Sequence, residues 1–252
     1  MSAASPRRAR VHVDDWDRHW DDYAVSAQRN PAQRFRRKLI LSLLGASPDR
    51  VLDIGSGQGD LAADLVAAFP HAEVAGLELS ASGVAHSRRK VPFAAFLQWD
   101  LLADRDPPVH FRCWATHAVC SEVLEHLDEP ECLLRHVKAF LAPGCRLVVT
   151  VPGGPISGFD RHIGHRRHYT PEELRLLLER AGFQVECVHG AGYPFFNLYR
   201  RVVIARGSKL IADVARQPTL PARIAMRAFD AILLWSSLAR GWQTVAVATL
   251  AG

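Results

Sequence analysis

Short apolar runs alternate with longer stretches of helical periodicity through the middle of the chain. The runs are bounded by turn residues, which is typical of buried strands, and the stretches between them have apolar residues three and four positions apart, as amphipathic helices do. This alternation predicts an α/β fold around a mostly parallel sheet. The predicted strands are Val51–Ile54, Glu73–Glu78, Ala94–Trp99, Thr116–Cys120, Arg146–Val151, Gln184–His189 and Gln243–Leu250.

The segment between the last two predicted strands is longer than a connection within a sheet requires. It is apolar, basic and mostly helical in spacing, so we expect an added helical subdomain that covers the substrate. The helix before the sixth strand begins after Thr170, with Pro171 suited to the first helical position and Glu173 able to close a capping box. We expect four parts in the chain. An N-terminal tail with a cofactor-covering helix spans residues 1–30, and it is followed by a core at 31–190, a helical insertion at 191–241 and the last strand at 242–252.

Composition places the chain among soluble globular proteins. Of its 252 residues, 48% are hydrophobic and 23% are charged, and the net charge is +5, which is ordinary for one α/β domain with additions. The basic clusters at residues 6–10 and 34–38 lack interleaved aromatic residues and a nucleic-acid-binding motif, so we expect no nucleic-acid partner. Five cysteines without a C-x-x-C pair predict reduced thiols in a cytoplasmic protein. No apolar run is long enough to predict a transmembrane segment. The sequence is compatible with a homodimer.

The most informative motif follows the first strand, where Gly55, Gly57 and Gly59 come at every second position after Asp53. Such glycines let the backbone pass close to a ligand, and the N-terminus of the following helix presents backbone N–H groups to it. The G-x-G-x-G spacing differs from the G-x-G-x-x-G of dinucleotide sites. The stretch resembles the first motif of class I S-adenosylmethionine (SAM) dependent methyltransferases, in which this loop wraps the methionine end of SAM.

Acidic residues at the ends of the next two predicted strands extend this resemblance. Ligands bind beyond the carboxyl ends of parallel strands, where Glu78 can accept from the ribose hydroxyls and Asp100 from the adenine amino group. Trp16 and Trp20 share helical spacing with Tyr23, and this helix either covers the cofactor or packs on the domain. The resemblance implies a Rossmann-like class I methyltransferase fold with SAM as the cofactor. The residues that it implies for cofactor binding are Tyr23, Asp53, Gly55, Gly57, Glu78, Leu79, Asp100 and Leu101.

A second polar cluster follows the fourth predicted strand. Glu122, Glu125 and His126 have the i, i+3, i+4 spacing of one helical face, so we expect them to converge beside the cofactor. Two adjacent carboxylates repel each other unless a proton or a cation neutralises them. Two carboxylates and an imidazole form a partial shell for Mg²⁺ or Mn²⁺. A later loop supplies further histidines, among them His165 and His168.

This pattern, E-x-x-E-H with a later histidine, resembles the metal site of the ubiquinone-pathway O-methyltransferases and of the plant small-RNA 2′-O-methyltransferases. His165 matches the fourth ligand by its position, so the implied metal ligands are Glu122, Glu125, His126 and His165. The RNA-binding domains of the small-RNA enzymes are missing, so RNA is not the expected acceptor. The alternative is a general base without metal, at His126 or His168. The catalytic candidates are therefore His126, His165 and His168.

These motifs together predict a SAM-dependent O-methyltransferase, because an alcohol must be deprotonated and oriented before it can attack a methyl group. The histidine- and arginine-rich loop at residues 160–169 resembles bacterial methyltransferases of polysaccharide synthesis, which implies a saccharide acceptor. The alternative acceptor is an aromatic or quinone-precursor molecule, with the aromatic residues at 193–199 as a stacking wall. From another class, a nucleotide-binding protein without catalysis or an NAD-dependent oxidoreductase remains open.

Overall fold

The computed structural model describes residues 16, 17, 20, 30–45, 47–103, 105–207, 220–233 and 235–251. Helices and strands alternate over most of this length, and short 3₁₀ turns lie at Val109–Phe111, Leu124–His126 and Lys138–Phe140. In chain order the elements are α1 (Pro31–Leu43), β1 (Arg50–Ile54), α2 (Asp60–Ala68), β2 (Glu73–Glu78), α3 (Ala81–Lys90), β3 (Ala95–Gln98), β4 (Ala115–Ser121), α4 (Pro130–Val137), β5 (Leu141–Pro152), α5 (Gly158–His162), α6 (Pro171–Arg180), β6 (Phe183–Ala191), α7 (Phe195–Arg206), α8 (Leu220–Leu233) and β7 (Gln243–Leu250).

The strands form one seven-stranded sheet in the order β3-β2-β1-β4-β5-β7-β6. Only β7 runs against the others, antiparallel to both β5 and β6. The strand order reverses between β1 and β4, and ligands of open α/β sheets bind beyond the carboxyl ends of the strands at such a point. Val51 of β1 pairs with His117 of β4, and Ile54 pairs with Cys120, so the chain leaves both strands at the same edge. The predicted α/β fold with a mostly parallel sheet is confirmed.

Hydrophobic side chains of the strands fill a core on each face of the sheet, because successive residues of a strand point to opposite faces. Val51 and Val148 belong to the core beneath α1, α2 and α3, whereas Leu52 and Leu147 belong to the core beneath α4 and α6. All four of these side chains are fully buried. No helix in the described ranges has the length and apolarity needed to cross a membrane.

The two described helices between β6 and β7 pack on the face of the sheet that carries α1. Phe196 of α7 packs against Phe35 of α1 with their ring centroids 5.3 Å apart. The hydroxyl of Tyr199 donates a hydrogen bond to Asn30 Oδ1 at 3.0 Å. These two aromatic residues therefore stabilise the attachment of the insertion and do not form the stacking wall considered for residues 193–199. Tyr193, in contrast, is 56% exposed.

The capping box predicted at the start of α6 is confirmed. Thr170 Oγ1 accepts from the backbone N–H of Glu173 at 3.2 Å, and Glu173 Oε2 accepts from the backbone N–H of Thr170 at 2.8 Å. These bonds satisfy backbone donors that the first turn of a helix leaves without partners.

We expect Thr170→Ala to lower the free energy of unfolding by about 1 kcal/mol through the loss of this cap. Denaturation in urea measures the change. Glu179→Gln, an exposed site in the last turn of the same helix, is the control, and it should change the free energy by less than about 0.5 kcal/mol. An equal loss in both variants would contradict the prediction.

Candidate functional site

A cavity with about 670 Å³ of empty space, part of it open to solvent, lies at the carboxyl edge of the sheet. The predicted site residues that line it are Gly55, Glu78, Leu79, Asp100, Leu101, Glu122 and His126. Its apolar lining includes residues that the motifs did not identify as ligand contacts: Trp99, Leu102, Val123, Leu127 and Leu133. Tyr23 lies outside the described residues.

The glycine loop after β1 is packed too closely for side chains. Gly55 and Gly57 have φ values of +72° and +54°. A Cβ atom on Gly55 would lie 2.5 Å from a methyl group of Val123, and one on Gly57 would lie 2.5 Å from the indole of Trp20. Gly57 thus lies beneath Trp20, and the loop is held between the N-terminal segment and the chain after β4.

Glu78 lies at the end of β2 and is tied to the glycine loop. Its Oε2 accepts from the backbone N–H of Gly57 at 2.8 Å, and its Oε1 accepts from the backbone N–H of Ser80 at 2.9 Å. Burial raises the pKa of Glu78, while these bonds and one from the Trp20 side chain oppose the rise. Asp17 accepts from the Ser80 hydroxyl at 2.6 Å, so Asp17 lies beside Glu78 as well.

Asp53 is only 2% exposed at the end of β1. Among the described residues, its Oδ2 atom has no hydrogen-bond partner. Burial, followed by the charge of Glu78, raises the pKa of Asp53 to about 7. An unpaired buried carboxyl group is costly, and a cationic group of a ligand, such as the ammonium of SAM, would relieve that cost. Asp53 therefore fits the cofactor that the glycine motif predicts.

The turn after β4 differs from the helix that the spacing of residues 122–126 predicts. Glu122 has a φ of +57°, and its backbone N–H donates to a carbonyl of β5 at 2.9 Å. Only Leu124–His126 form a 3₁₀ turn. The carboxylate of Glu122 accepts from Gln243 Nε2 at 2.8 Å and pairs with Arg36 at 3.2 Å. The expectation of one helical face is therefore wrong, because Glu122 leaves the strand in a left-handed conformation.

Two groups of side chains nevertheless converge at this edge. Glu125, His126 and His165 form one group, and Asp160, His165 and His168 form the other; within each, the potential ligand atoms all lie within 4.8 Å of one another. Among the described residues, Glu122 belongs to neither group. The motifs missed Asp160, although it opens the same loop as the histidines, because only the fold brings its carboxylate back to them.

Glu125 is fully buried, and among the described residues neither of its carboxylate oxygens has a hydrogen-bond partner on another residue. The nearest nitrogen of His165, Nε2, lies 3.9 Å from Glu125 Oε1. Burial, followed by the charge of Glu122, raises the pKa of Glu125 well above its usual range. A buried carboxylate beside imidazoles suits a divalent transition-metal or magnesium ion, so these residues fit the predicted cation.

Asp160 is already neutralised. Arg200 of α7 donates to both of its carboxylate oxygens at 3.0 and 2.9 Å, and Ser157 donates its backbone N–H at 2.7 Å. Although burial raises the pKa of Asp160, the hydrogen bonds and the charge of Arg200 lower it to about 2. The group around Asp160 therefore has its own buried cation, Arg200, whereas Glu125 has no such ion pair with an arginine or lysine among the described residues.

The raised pKa of Asp53 gives a prediction about stability. Because the folded protein binds this proton more tightly than the unfolded chain, with a pKa of about 7 against 3.8, Asp53 lowers the free energy of unfolding as the pH rises. The loss develops between about pH 4 and pH 7 and amounts to roughly 4 kcal/mol.

Asp53→Asn removes this proton equilibrium. We expect the variant to gain stability relative to the natural protein as the pH rises from about 4 to about 7, as measured by urea denaturation across that range. A difference between Asp53→Asn and the natural protein that stays constant with pH would refute the prediction.

Comparison with known proteins identifies the family of this chain. Residues 26–188 match a family model described as a methyltransferase domain. Trans-aconitate 2-methyltransferase of Methylobacterium nodulans is 35% identical over 139 residues, which cover 55% of this chain and 50% of the relative. Demethylmenaquinone methyltransferase of Thermus thermophilus is 33% identical over 187 residues, with 60% and 82% covered. Ubiquinone biosynthesis O-methyltransferase of Aeromonas salmonicida is 25% identical over 168 residues, with 60% and 70% covered. The chain thus spans about half the length of the trans-aconitate enzyme that it matches.

Solved structures share the fold. Phosphoethanolamine N-methyltransferase 2 of Haemonchus contortus, in complex with S-adenosyl-L-methionine, superposes with a TM-score of 0.63 over 96% of this chain and 61% of that one. At 17% identity, this likeness shows the architecture alone. The family match covers the glycine loop, the acids at the strand ends and the histidine loop. This chain therefore belongs to the class I SAM-dependent methyltransferases.

Proposed function

We propose that this chain is an O-methyltransferase that acts on a hydroxyl group of a small aromatic or quinone-precursor molecule, with a divalent cation held by Glu125, His126 and His165. The observation that carries the proposal is the fully buried Glu125 carboxyl beside two imidazoles. His126 of this group also lines the cavity that contains the predicted cofactor residues. The cation site and the cofactor site would therefore share one edge of the sheet.

The cofactor would be bound by residues at the ends of three strands. Glu78 and Asp100 line the cavity and offer carboxylates to the ribose hydroxyls and the adenine amino group. Asp53 offers a buried negative charge to the ammonium of SAM. SAM supplies a methyl group on a sulfonium, which requires no activation by the protein.

The buried cluster favours a hydroxyl acceptor over a carboxylate. As the methyl group moves, its bond to sulfur breaks, a bond to the acceptor oxygen forms, and the hydroxyl proton must leave. With a cation bound to His126, that proton would leave to water; without a cation, His126, which lies in the cavity wall, is our candidate for accepting it. A bound cation would lower the pKa of the hydroxyl and orient it. A carboxylate acceptor, such as the one in the name of the trans-aconitate relatives, is already ionised at neutral pH and would need none of this help.

The walls near His126 suit a flat, apolar acceptor. The ring of Trp16 meets His126 edge to face, with the centroids 4.8 Å apart, and Val123 and Leu127 add apolar surface. The quinone-pathway relatives support the same class. The saccharide acceptor stays a prediction with weaker support, because in the polar loop Arg166 pairs with Asp128 and Arg167 donates to the Asp128 carbonyl.

We expect Glu78→Gln to weaken the binding of S-adenosylhomocysteine by about 10-fold to 100-fold, since one charged hydrogen-bond acceptor contributes ~1.5–3 kcal/mol. Isothermal titration calorimetry measures the change. Glu73→Gln, at the exposed start of the same strand, is the control and should bind as the natural protein does. Unchanged affinity in Glu78→Gln would show that this acid does not bind the cofactor.

The test of the proposed activity is transfer of labelled methyl groups to a panel of catechols, hydroxylated quinone precursors and sugars, with and without EDTA. We expect turnover of a phenolic acceptor, its loss in EDTA and its recovery with Mg²⁺ or Mn²⁺. Glu125→Gln should reduce kcat by about 100-fold or more, as removal of acid–base or metal assistance does, while S-adenosylhomocysteine binding persists.

The matched control for this experiment is Glu129→Gln, an exposed glutamate four residues later, which should keep full turnover and its response to metal. Full turnover of a hydroxyl acceptor after exhaustive chelation would refute the cation and leave His126 as a metal-free base. Turnover of sugars alone would refute the proposed acceptor class.

A further inference from the structure

His168 is hydrogen-bonded in a way that determines which of its nitrogens carries a proton. Its Nδ1 lies 2.9 Å from the carbonyl oxygen of Gly154. A carbonyl oxygen only accepts, so Nδ1 must donate. A neutral imidazole carries a single proton. In the neutral ring, Nε2 of His168 is therefore an acceptor.

The acceptor nitrogen of His168 determines which nitrogen of the His165 ring carries the proton. His165 Nδ1 lies 3.2 Å from His168 Nε2, and since that atom has no proton, His165 Nδ1 must donate. In its neutral form this ring also carries one proton. Its Nε2 is left with a lone pair, 3.9 Å from Glu125 Oε1.

We propose that His168 is a positioning residue: through the Gly154 carbonyl, it holds His165 in the Nδ1–H tautomer and so leaves His165 Nε2 open toward Glu125 and His126. The proposal extends the proposed function, in which His165 is a cation ligand, but the tautomer itself does not depend on a cation. Imidazole ligands of metals generally donate their other N–H to a fixed acceptor. His168 supplies that acceptor here, and it is not the base that accepts the substrate proton.

The charges around His168 are consistent with this role. Asp160 Oδ2 lies 3.9 Å from His168 Nε2, close enough to favour a proton on that nitrogen. Arg200, however, donates to both oxygens of Asp160, so this carboxylate already has its counter-charge. His168 Nε2 therefore remains available to the N–H of His165.

Long-range ¹H–¹⁵N NMR spectra of the metal-free chain of residues 1–252 test the tautomer directly, with His165→Gln used to assign the signals. We expect His165 to carry its proton on Nδ1. His168→Gln keeps an amide donor for Gly154 and an oxygen acceptor for His165, so it should preserve that tautomer. His168→Leu removes both, and His165 should then show a mixture or the Nε2–H form.

A His165 proton on Nε2 in the natural protein, or an unchanged Nδ1–H tautomer in His168→Leu, would overturn the proposal. If His168→Leu does not fold, the spectra of the natural protein and of His168→Gln decide: Nδ1–H in both supports the proposal, and Nε2–H in either overturns it.

Titration with Mn²⁺, followed by the EPR signal of the free ion, provides a second measurement that needs no acceptor. We expect His168→Leu to bind Mn²⁺ about 10-fold to 100-fold more weakly than the natural protein, as loss of an outer-shell partner does, and His168→Gln to bind within about threefold of it. Equal affinity in all three proteins would overturn the positioning role. Absence of Mn²⁺ binding to the natural protein would refute the proposed cation, while the NMR result would still decide the tautomer.

Discussion

The left-handed conformation of Glu122 leads the chain from the end of β4 into the turn that carries Glu125 and His126. A left-handed conformation costs a residue other than glycine about 1–2 kcal/mol, and Glu122 adopts it at φ +57°. The cost is offset by contacts to three elements: a carbonyl of β5 accepts its N–H, Arg36 of α1 pairs with its carboxylate, and Gln243 of β7 donates to it. The turn is therefore held by parts of the chain far apart in sequence.

This turn places two neighbouring glutamates in different environments. Glu122 has a guanidinium partner, whereas Glu125, three residues on, is fully buried with none among the described residues. In the same turn, Val123 packs closely against Gly55, and His126 lines the cavity. Glu122 anchors the turn through its ion pair, whereas burial raises the pKa of the Glu125 carboxyl.

Local signals made the sheet, the glycine loop and the cap at Thr170 predictable from the sequence. The spacing of Glu122, Glu125 and His126 correctly indicated that a cluster follows β4, but it did not reveal the conformation, because a φ of +57° depends on Arg36 and Gln243, which are 207 residues apart. Asp160 was missed for the same reason. Its place beside the histidines depends on a short helix and on an arginine 40 residues away.

The ion pair between Asp160 and Arg200 connects the helical insertion to the histidine loop at the carboxyl edge of the sheet. Arg200 belongs to α7, and Asp160 is 1% exposed beside His168. Removing one partner of a buried pair leaves an uncompensated charge, so α7 and the histidine loop are held together. Because Arg200 already balances the charge of the Asp160 carboxylate, this charge does not require a proton on His168. A neutral imidazole is the form that binds a cation or accepts a proton, and it is the form that the proposed function requires of these histidines.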